Sequence, residues 1–263
     1  MSQVVRLVAT DLDGTLLGPG AVVSQRTRAA IAAVVAAGIH VVAATGRSQW
    51  TAGPLIEPVA GIELIVCSNG ASLYDVRARR SLAEHPIADE VIDEILVTLA
   101  AGLRGCCFGW ETAQDLHYEE RFIAYRPALE RPGSPDLAVG HRPAPIRKLM
   151  IAHGELDHYE LLDALTPLMP ERCLATTSGA AFVEVTGDGV DKAFGVQQVC
   201  AHLGIEAEEV MAFGDNHNDV ALLRWAGRGI AMGNAHHTVT GAVDEGTLSH
   251  LDEGVAAVLE TLV

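Results

Sequence analysis

Val4-Val5-Arg6-Leu7-Val8-Ala9-Thr10-Asp11-Leu12-Asp13-Gly14-Thr15 is the stretch that decides how this chain reads. A mostly apolar run of strand length is followed at once by two aspartates one residue apart and a turn. Successive side chains of an extended chain alternate faces, so Asp11 and Asp13 point the same way and address one small volume. Two carboxylates aimed at one point repel each other unless a cation or a proton is present. That is how a divalent-metal or acid/base site looks in sequence. Taken alone, Asp-Gly is more often a turn than a site. An EF-hand loop is excluded, because its glycine belongs at position six and its glutamate at twelve, where this chain has Gly14 at four and Val22 at twelve.

Working outward, 263 residues with 49% apolar and 5% aromatic side chains suit an Ala/Val/Leu-rich α/β protein with one large core or two smaller ones. Apolar runs stay short of the roughly 18 residues that a membrane span needs, and the N-terminus shows no signal-peptide pattern, so a soluble, cytoplasmic protein is expected. Cys67, Cys106, Cys107, Cys173 and Cys200 are scattered without CxxC spacing, which suits a reducing compartment and small core hydrophobes. The formal net charge of −16 argues against nucleic acid and anionic membrane as partners. A small phosphorylated metabolite can still bind where a metal ion and a few basic groups reverse the local field.

The first third alternates strand and helix. Strands are expected at 4–11, 39–44 and 64–67, with a helix from the Ser24 cap to Ala37 and a short helical stretch at 47–56. The last third repeats this style, with helices at 190–203, 218–225 and 251–262 and strands at 210–213 and 229–232. Strands separated by helices imply a parallel sheet whose chemistry collects at the carboxyl ends of the strands. Residues 81–187 change texture: an amphipathic helix through Val91, Ile92, Ile95, Leu96 and Leu99, strands near 106–110 and 147–152, a Pro/Gly-rich stretch at 127–145, a helix at 161–168, and a strand pair around Leu174 and Val183. The expected fold is therefore α/β, a Rossmann-like doubly wound parallel-sheet core at 1–80 and 188–263, with an inserted α+β domain at 81–187.

A second acidic cluster, Gly214-Asp215-Asn216-His217-Asn218-Asp219, closes the strand at 210–213. With a helix starting near Asn216, Asp219 points back over the face that Asp215 borders. A helix cap is the plain alternative for either aspartate, and His217 reads as a solvent-facing first-turn residue. Thr45-Gly46-Arg47 ends the second strand where free N–H groups and a hydroxyl can hold a phosphate oxygen. Lys192 follows a Gly-rich turn at a helix start, where the helix dipole offers a cation nothing. No P-loop, GxGxxG after the first strand, or GxSxG elbow is present.

In order, DxDGT, TGR, a lone lysine after a Gly-rich turn, and GDxxND resemble the haloacid dehalogenase (HAD) superfamily of aspartate-nucleophile phosphohydrolases. The long insertion, with Ser68-Asn69-Gly70-Ala71 and Ile230-Ala231-Met232-Gly233-Asn234-Ala235, looks like the Cof-type branch of class IIB. Ala193 and His217 are two small departures from its pattern. The resemblance implies a phosphomonoester hydrolase in which Asp11 is the nucleophile, forming an aspartyl-phosphate, and Asp13 the general acid and base. It implies Mg²⁺ held by Asp11, the Asp13 backbone carbonyl, Asp215 and Asp219. Thr45 and Lys192 would hold phosphoryl oxygens, with Gly14, Gly46, Arg47, Asn69 and Asn218 in the surrounding shell. The insertion would act as a cap that selects a small phosphorylated metabolite, sugar phosphates among them. His117, Arg121 and Glu184 are its candidate contacts, each by default a surface residue.

Charge counting agrees with that division of roles. Four ionised aspartates bring roughly −4, and one Mg²⁺ plus Lys192 leave about −1, so one carboxyl should be protonated when substrate binds, with Asp13 the candidate. Two other readings are a phosphomutase on the same scaffold and, in a different class, a receiver-like, non-catalytic aspartyl-phosphate switch module.

Overall fold

The structure, a computed structural model, describes residues 4–125 and 145–263. The chain opens with β1 (Leu7–Thr10), α1 (Gln25–Ala36), β2 (His40–Ala44), α2 (Gln49–Ile56), β3 (Ile62–Cys67), β4 (Ser72–Asp75) and β5 (Arg80–Glu84). The inserted stretch holds α3 (Asp89–Gly102), β6 (Cys106–Thr112), β7 (Leu116–Tyr118), α4 (Glu120–Tyr125), β8 (Ile146–His153), α5 (His158–Leu165), β9 (Cys173–Thr176) and β10 (Val183–Gly187). It ends with α6 (Lys192–Leu203), β11 (Val210–Gly214), α7 (Val220–Trp225), β12 (Arg228–Ala231), α8 (His237–Thr240), β13 (Glu245–Gly246) and α9 (Gly254–Leu259). Two compact units result, one of Met1–Ala83 with Asp191–Val263 and one of Glu84–Val190.

The first unit is built on an eight-stranded sheet in the order β13-β12-β11-β1-β2-β3-β4-β5. From β13 to β3 the pairings are parallel, and β4 runs antiparallel to β3. Leu7, Val8 and Ala9 are wholly buried, so β1 has apolar neighbours on both faces. Val8 belongs to a core with Ile31 and Val34 of α1, Ile56 of α2 and Leu259 of α9. Leu7 and Ala9 belong to a second core with Val196 and Val199 of α6 and Leu222 of α7. Period-two alternation thus feeds two helical layers, which is the doubly wound α/β fold expected. Strand order reverses at β1, with β2 on one side and β11 on the other, so the carboxyl ends there border the crevice where such sheets bind ligands.

Two helices differ from expectation. The stretch at 218–225 begins as a 3₁₀ turn, His217–Asp219, before α7. At 251–262, a 3₁₀ turn, His250–Asp252, is separated from α9 by Glu253 in the left-handed region at φ 58°. Strands β4 and β5 went unanticipated because β5 alternates half-buried with exposed residues and carries almost no apolar signal.

In the second unit the sheet order is β7-β6-β8-β10-β9, with antiparallel pairings. Val91, Ile92, Ile95 and Leu99 of α3 and Leu161 and Leu165 of α5 join Trp110, Leu149, Ile151, Val183 and Val185 in one core. Strand β8 is buried throughout although it carries Arg147 and Lys148. Glu111 lies opposite Lys148 in register. Lys148 Nζ stands 2.9 Å from Glu184 and 3.4 Å from Glu111, and Arg147 donates to Glu111 at 3.2 Å and to the Thr112 carbonyl at 2.6 Å. Glu184 is therefore a buried ion-pair partner rather than a surface residue. His117 is half-buried on β7, and Arg121 lies exposed over the Tyr125 ring. The Pro/Gly-rich stretch at 127–145 lies, but for Pro145, outside the described residues.

Candidate active site

Five segments of the first unit bring the site together, four of them at the carboxyl ends of adjacent strands. Asp11 follows β1, and its N–H donates to the Phe213 carbonyl at 3.1 Å, continuing the β1–β11 pairing beyond the strand. Thr45-Gly46-Arg47 follows β2 and is laced to the loop after β3: Asn69 N–H donates to the Thr45 carbonyl at 3.0 Å and Ser68 N–H to the Arg47 carbonyl at 2.8 Å. That loop is strained, with Ser68 and Asn69 both at φ 54° and Gly70 at φ 96°. A Cβ on Gly70 would collide with the Asp191 carbonyl, so glycine is required there on two counts. Asp191 caps α6 by accepting from Phe194 N–H at 2.8 Å, which sets Lys192 at the first helical position.

Lys192 is completely buried, and its Nζ donates to Asp11 Oδ1 and Asp219 Oδ1 at 2.6 Å each. Asp219 serves twice, since its Oδ2 accepts from the N–H groups of Asp215 and Asn216 at 3.0 Å each. Asp219 therefore caps the turn and pairs with Lys192 at once. Asp215 is oriented by Thr15, whose hydroxyl donates to Oδ1 at 2.8 Å. Gly14, at φ 76°, lets the turn pass where a Cβ would strike the Asp215 carboxylate. Asn218 Nδ2 donates to Asn69 Oδ1 at 2.9 Å, and the other polar atoms of the two amides, Asn69 Nδ2 and Asn218 Oδ1, are buried without a hydrogen-bond partner.

Asp13 sits apart from this buried group. Its side chain is 46% exposed and takes both ends of the Arg47 fork, Nε at 2.6 Å and Nη2 at 2.7 Å. Arg47 thus brings a second cation to the site beside Lys192. His217 is half-buried and its ring packs on His236 at 4.5 Å between centroids, rather than facing solvent. Thr15 and Asn234, whose Nδ2 donates to the Gly14 carbonyl at 2.9 Å, had no assigned part in the sequence reading. Their signal was present, as the threonine of DxDGT and the asparagine of MGNA.

Asp11, Asp215 and Asp219 each offer a carboxylate oxygen, and the three lie within 4.8 Å of one another. Burial, then repulsion from Asp219 and the other carboxylates, pushes Asp11 well above the usual aspartate range despite Lys192. Burial followed by Asp219 raises Asp215 to about 7. Burial alone would lower Lys192, but Asp11 and Asp219 outweigh it and hold the ammonium charged. One lysine is too little positive charge for three inward carboxylates, and every donor is a hard oxygen. The set fits a small divalent cation bound through oxygen.

Comparison with known proteins agrees with this architecture. The haloacid dehalogenase-like hydrolase family model matches residues 8–259. The 5-amino-6-(5-phospho-D-ribitylamino)uracil phosphatase of Bacillus subtilis is 28% identical over 253 residues, covering 96% of this chain and 93% of that protein. A phosphatase of the HAD superfamily from Bacteroides thetaiotaomicron superposes with a TM-score of 0.83 at 24% identity, over 99% of this chain and 96% of that one. A HAD subclass IIB sugar phosphatase superposes with a TM-score of 0.81 at 21% identity, over 98% of this chain and 100% of that one. The chain belongs to the haloacid dehalogenase-like hydrolase family.

Proposed function

We propose that this protein is a Mg²⁺-dependent phosphomonoesterase that works through an aspartyl-phosphate on Asp11 and acts on a small phosphorylated metabolite. The observation that carries the reading is the convergence of Asp11, Asp215 and Asp219 within 4.8 Å, with the buried Lys192 bonded to two of them. Asp11, Asp215, Asp219 and the Asp13 carbonyl would hold the metal. When bound, Mg²⁺ supplies charge neutralisation for the phosphoryl oxygens.

This chain's own residues account for the remaining work. Asp11, itself buried, attacks phosphorus in line. Asp13 delivers a proton to the leaving oxygen and later takes one from the attacking water. Lys192 and Thr45 hold the phosphoryl oxygens, and Gly46 lets the backbone approach them. The unpaired Asn69 Nδ2 supports a role for the amide pair Asn69–Asn218 in that shell, because a buried donor without an acceptor is costly until a ligand oxygen supplies one. The inserted unit, residues 81–187 in the sequence reading, is assigned the choice of leaving group. The phosphorylated ribitylamino compound named for the Bacillus relative and the sugar phosphatase activity named for the class IIB structure support substrates of metabolite size.

A panel of phosphorylated metabolites assayed for phosphate release tests the proposal. Release should vanish in EDTA and return with Mg²⁺, and Asp11→Asn should be folded and inactive. Full activity in chelator, or turnover by Asp11→Asn, would end the assignment.

A further inference from the structure

The Arg47 guanidinium binds Asp13 with both ends of its fork. A bidentate arginine–carboxylate pair fixes the plane of the carboxylate as well as its position, which a single contact cannot do. The fork has its own anchors. Arg47 N–H donates to Thr45 Oγ1 at 3.1 Å, and the Arg47 carbonyl accepts from Ser68 N–H at 2.8 Å. The arginine side chain is only 15% exposed, against 46% for Asp13, so the ordered partner holds the exposed one. A carboxylate has about four lone-pair sites and the fork uses two, leaving one on each oxygen for another partner.

We propose that Arg47 is a positioning residue for the acid–base Asp13, rather than a ligand of the transferred phosphoryl group. The inference rests on the phosphatase reading above. In the first half-reaction the Asp11 oxygen–phosphorus bond forms and the ester phosphorus–oxygen bond breaks, while a proton passes from the Asp13 carboxyl to the leaving oxygen. In the second, water forms a bond to phosphorus, the bond to Asp11 breaks, and a proton from that water returns to Asp13. Both transfers need one carboxyl held in one orientation, and the Arg47 fork supplies the orientation. Substrates differ in how far they depend on it. A p-nitrophenolate leaves without a proton, whereas an alkyl alcohol needs one.

The test compares Arg47→Ala and Arg47→Lys with the parent enzyme, in Mg²⁺, on p-nitrophenyl phosphate and on an alkyl phosphate such as a hexose phosphate. Loss of the proton-transfer geometry should lower kcat/KM, which reports phosphoenzyme formation, about 100-fold on the alkyl ester and less than about fivefold on the aryl ester, while slower dephosphorylation, common to both esters, lowers kcat on either. Guanidinium ion added to Arg47→Ala should restore part of the alkyl rate. Should Arg47→Ala not fold, Arg47→Lys carries the same comparison, because an ammonium keeps the charge without the fork. Equal losses of kcat/KM on both esters would overturn the inference, since a ligand of the phosphoryl group serves both alike. Failure of the phosphatase reading is distinct, since the parent enzyme would then release phosphate from neither ester.

Discussion

Lys192 and its two carboxylates form a buried ion triad in which every distance is short and no atom of the lysine reaches solvent. Removing one partner of a buried charge group leaves the others uncompensated, a loss of about 3–5 kcal/mol. Lys192→Met should therefore cost that much in urea unfolding of the metal-free protein, and less in Mg²⁺, where a second cation faces the same carboxylates. An unchanged unfolding midpoint in chelator would show that the triad is not a net contributor. The convergence of Asp11, Asp215 and Lys192 is readable from sequence, because each sits in a motif that makes the same chemical demand. The reach of Arg47 is not legible in sequence, since TGR marks a phosphate loop but nothing near position 47 shows that its side chain meets Asp13, 34 residues earlier. The part of Thr15 is not legible in sequence, because a threonine after a glycine turn is ordinary and its hydroxyl meets Asp215, 200 residues away.

Among the elements, the loop after β3 joins two parts of the site that sequence treats as separate. Gly70 takes φ 96° and its Cα faces the carbonyl of Asp191, the residue that caps α6. Gly70→Ala should cost about 1–3 kcal/mol from the backbone strain alone and displace the helix start that carries Lys192. Thermal melting and phosphate release measured together check this, and a variant with normal melting and normal kcat would show that the loop tolerates a side chain. In the second unit, Asp157 and Glu160 form a capping box at the start of α5. Hydrogen bonds from the Glu160 and Tyr159 N–H groups hold Asp157 below the usual aspartate range. A carboxyl lowered in the folded state stabilises above its unfolded pKa, and that stabilisation is lost as pH falls through the folded value. Asp157→Ala should lower the melting temperature by roughly 2–4 °C near neutral pH, with the difference from the parent closing in acid below its ordinary value of 3.8.

At the scale of the whole molecule, acidic surplus and burial act together. The chain carries a formal charge of −16, and its site gathers carboxyls whose burial raises Asp215 to about 7 and Asp11 upward as well. Carboxyls raised in the folded state stabilise below their unfolded pKa, and the contribution is lost as pH rises through the folded value. Metal-free protein should therefore lose stability between about pH 4 and about pH 7, and Mg²⁺ should cancel the loss by binding the ionised form. Melting temperatures across that range, in chelator and in Mg²⁺, check it; a metal-free curve that rises toward neutrality would contradict the assignment of these two carboxyls. The alternation of apolar strands with capped helices, and the carboxylates placed at strand ends, determined the α/β fold and its reactive edge from sequence alone, because both follow from local periodicity and turn chemistry. Only the tertiary structure decided that Lys192 lies between Asp11 and Asp219, that Arg47 holds Asp13, and that Glu184 is buried against Lys148. Those pairings join residues far apart in the chain, and they depend on strand order and register, which no local pattern encodes.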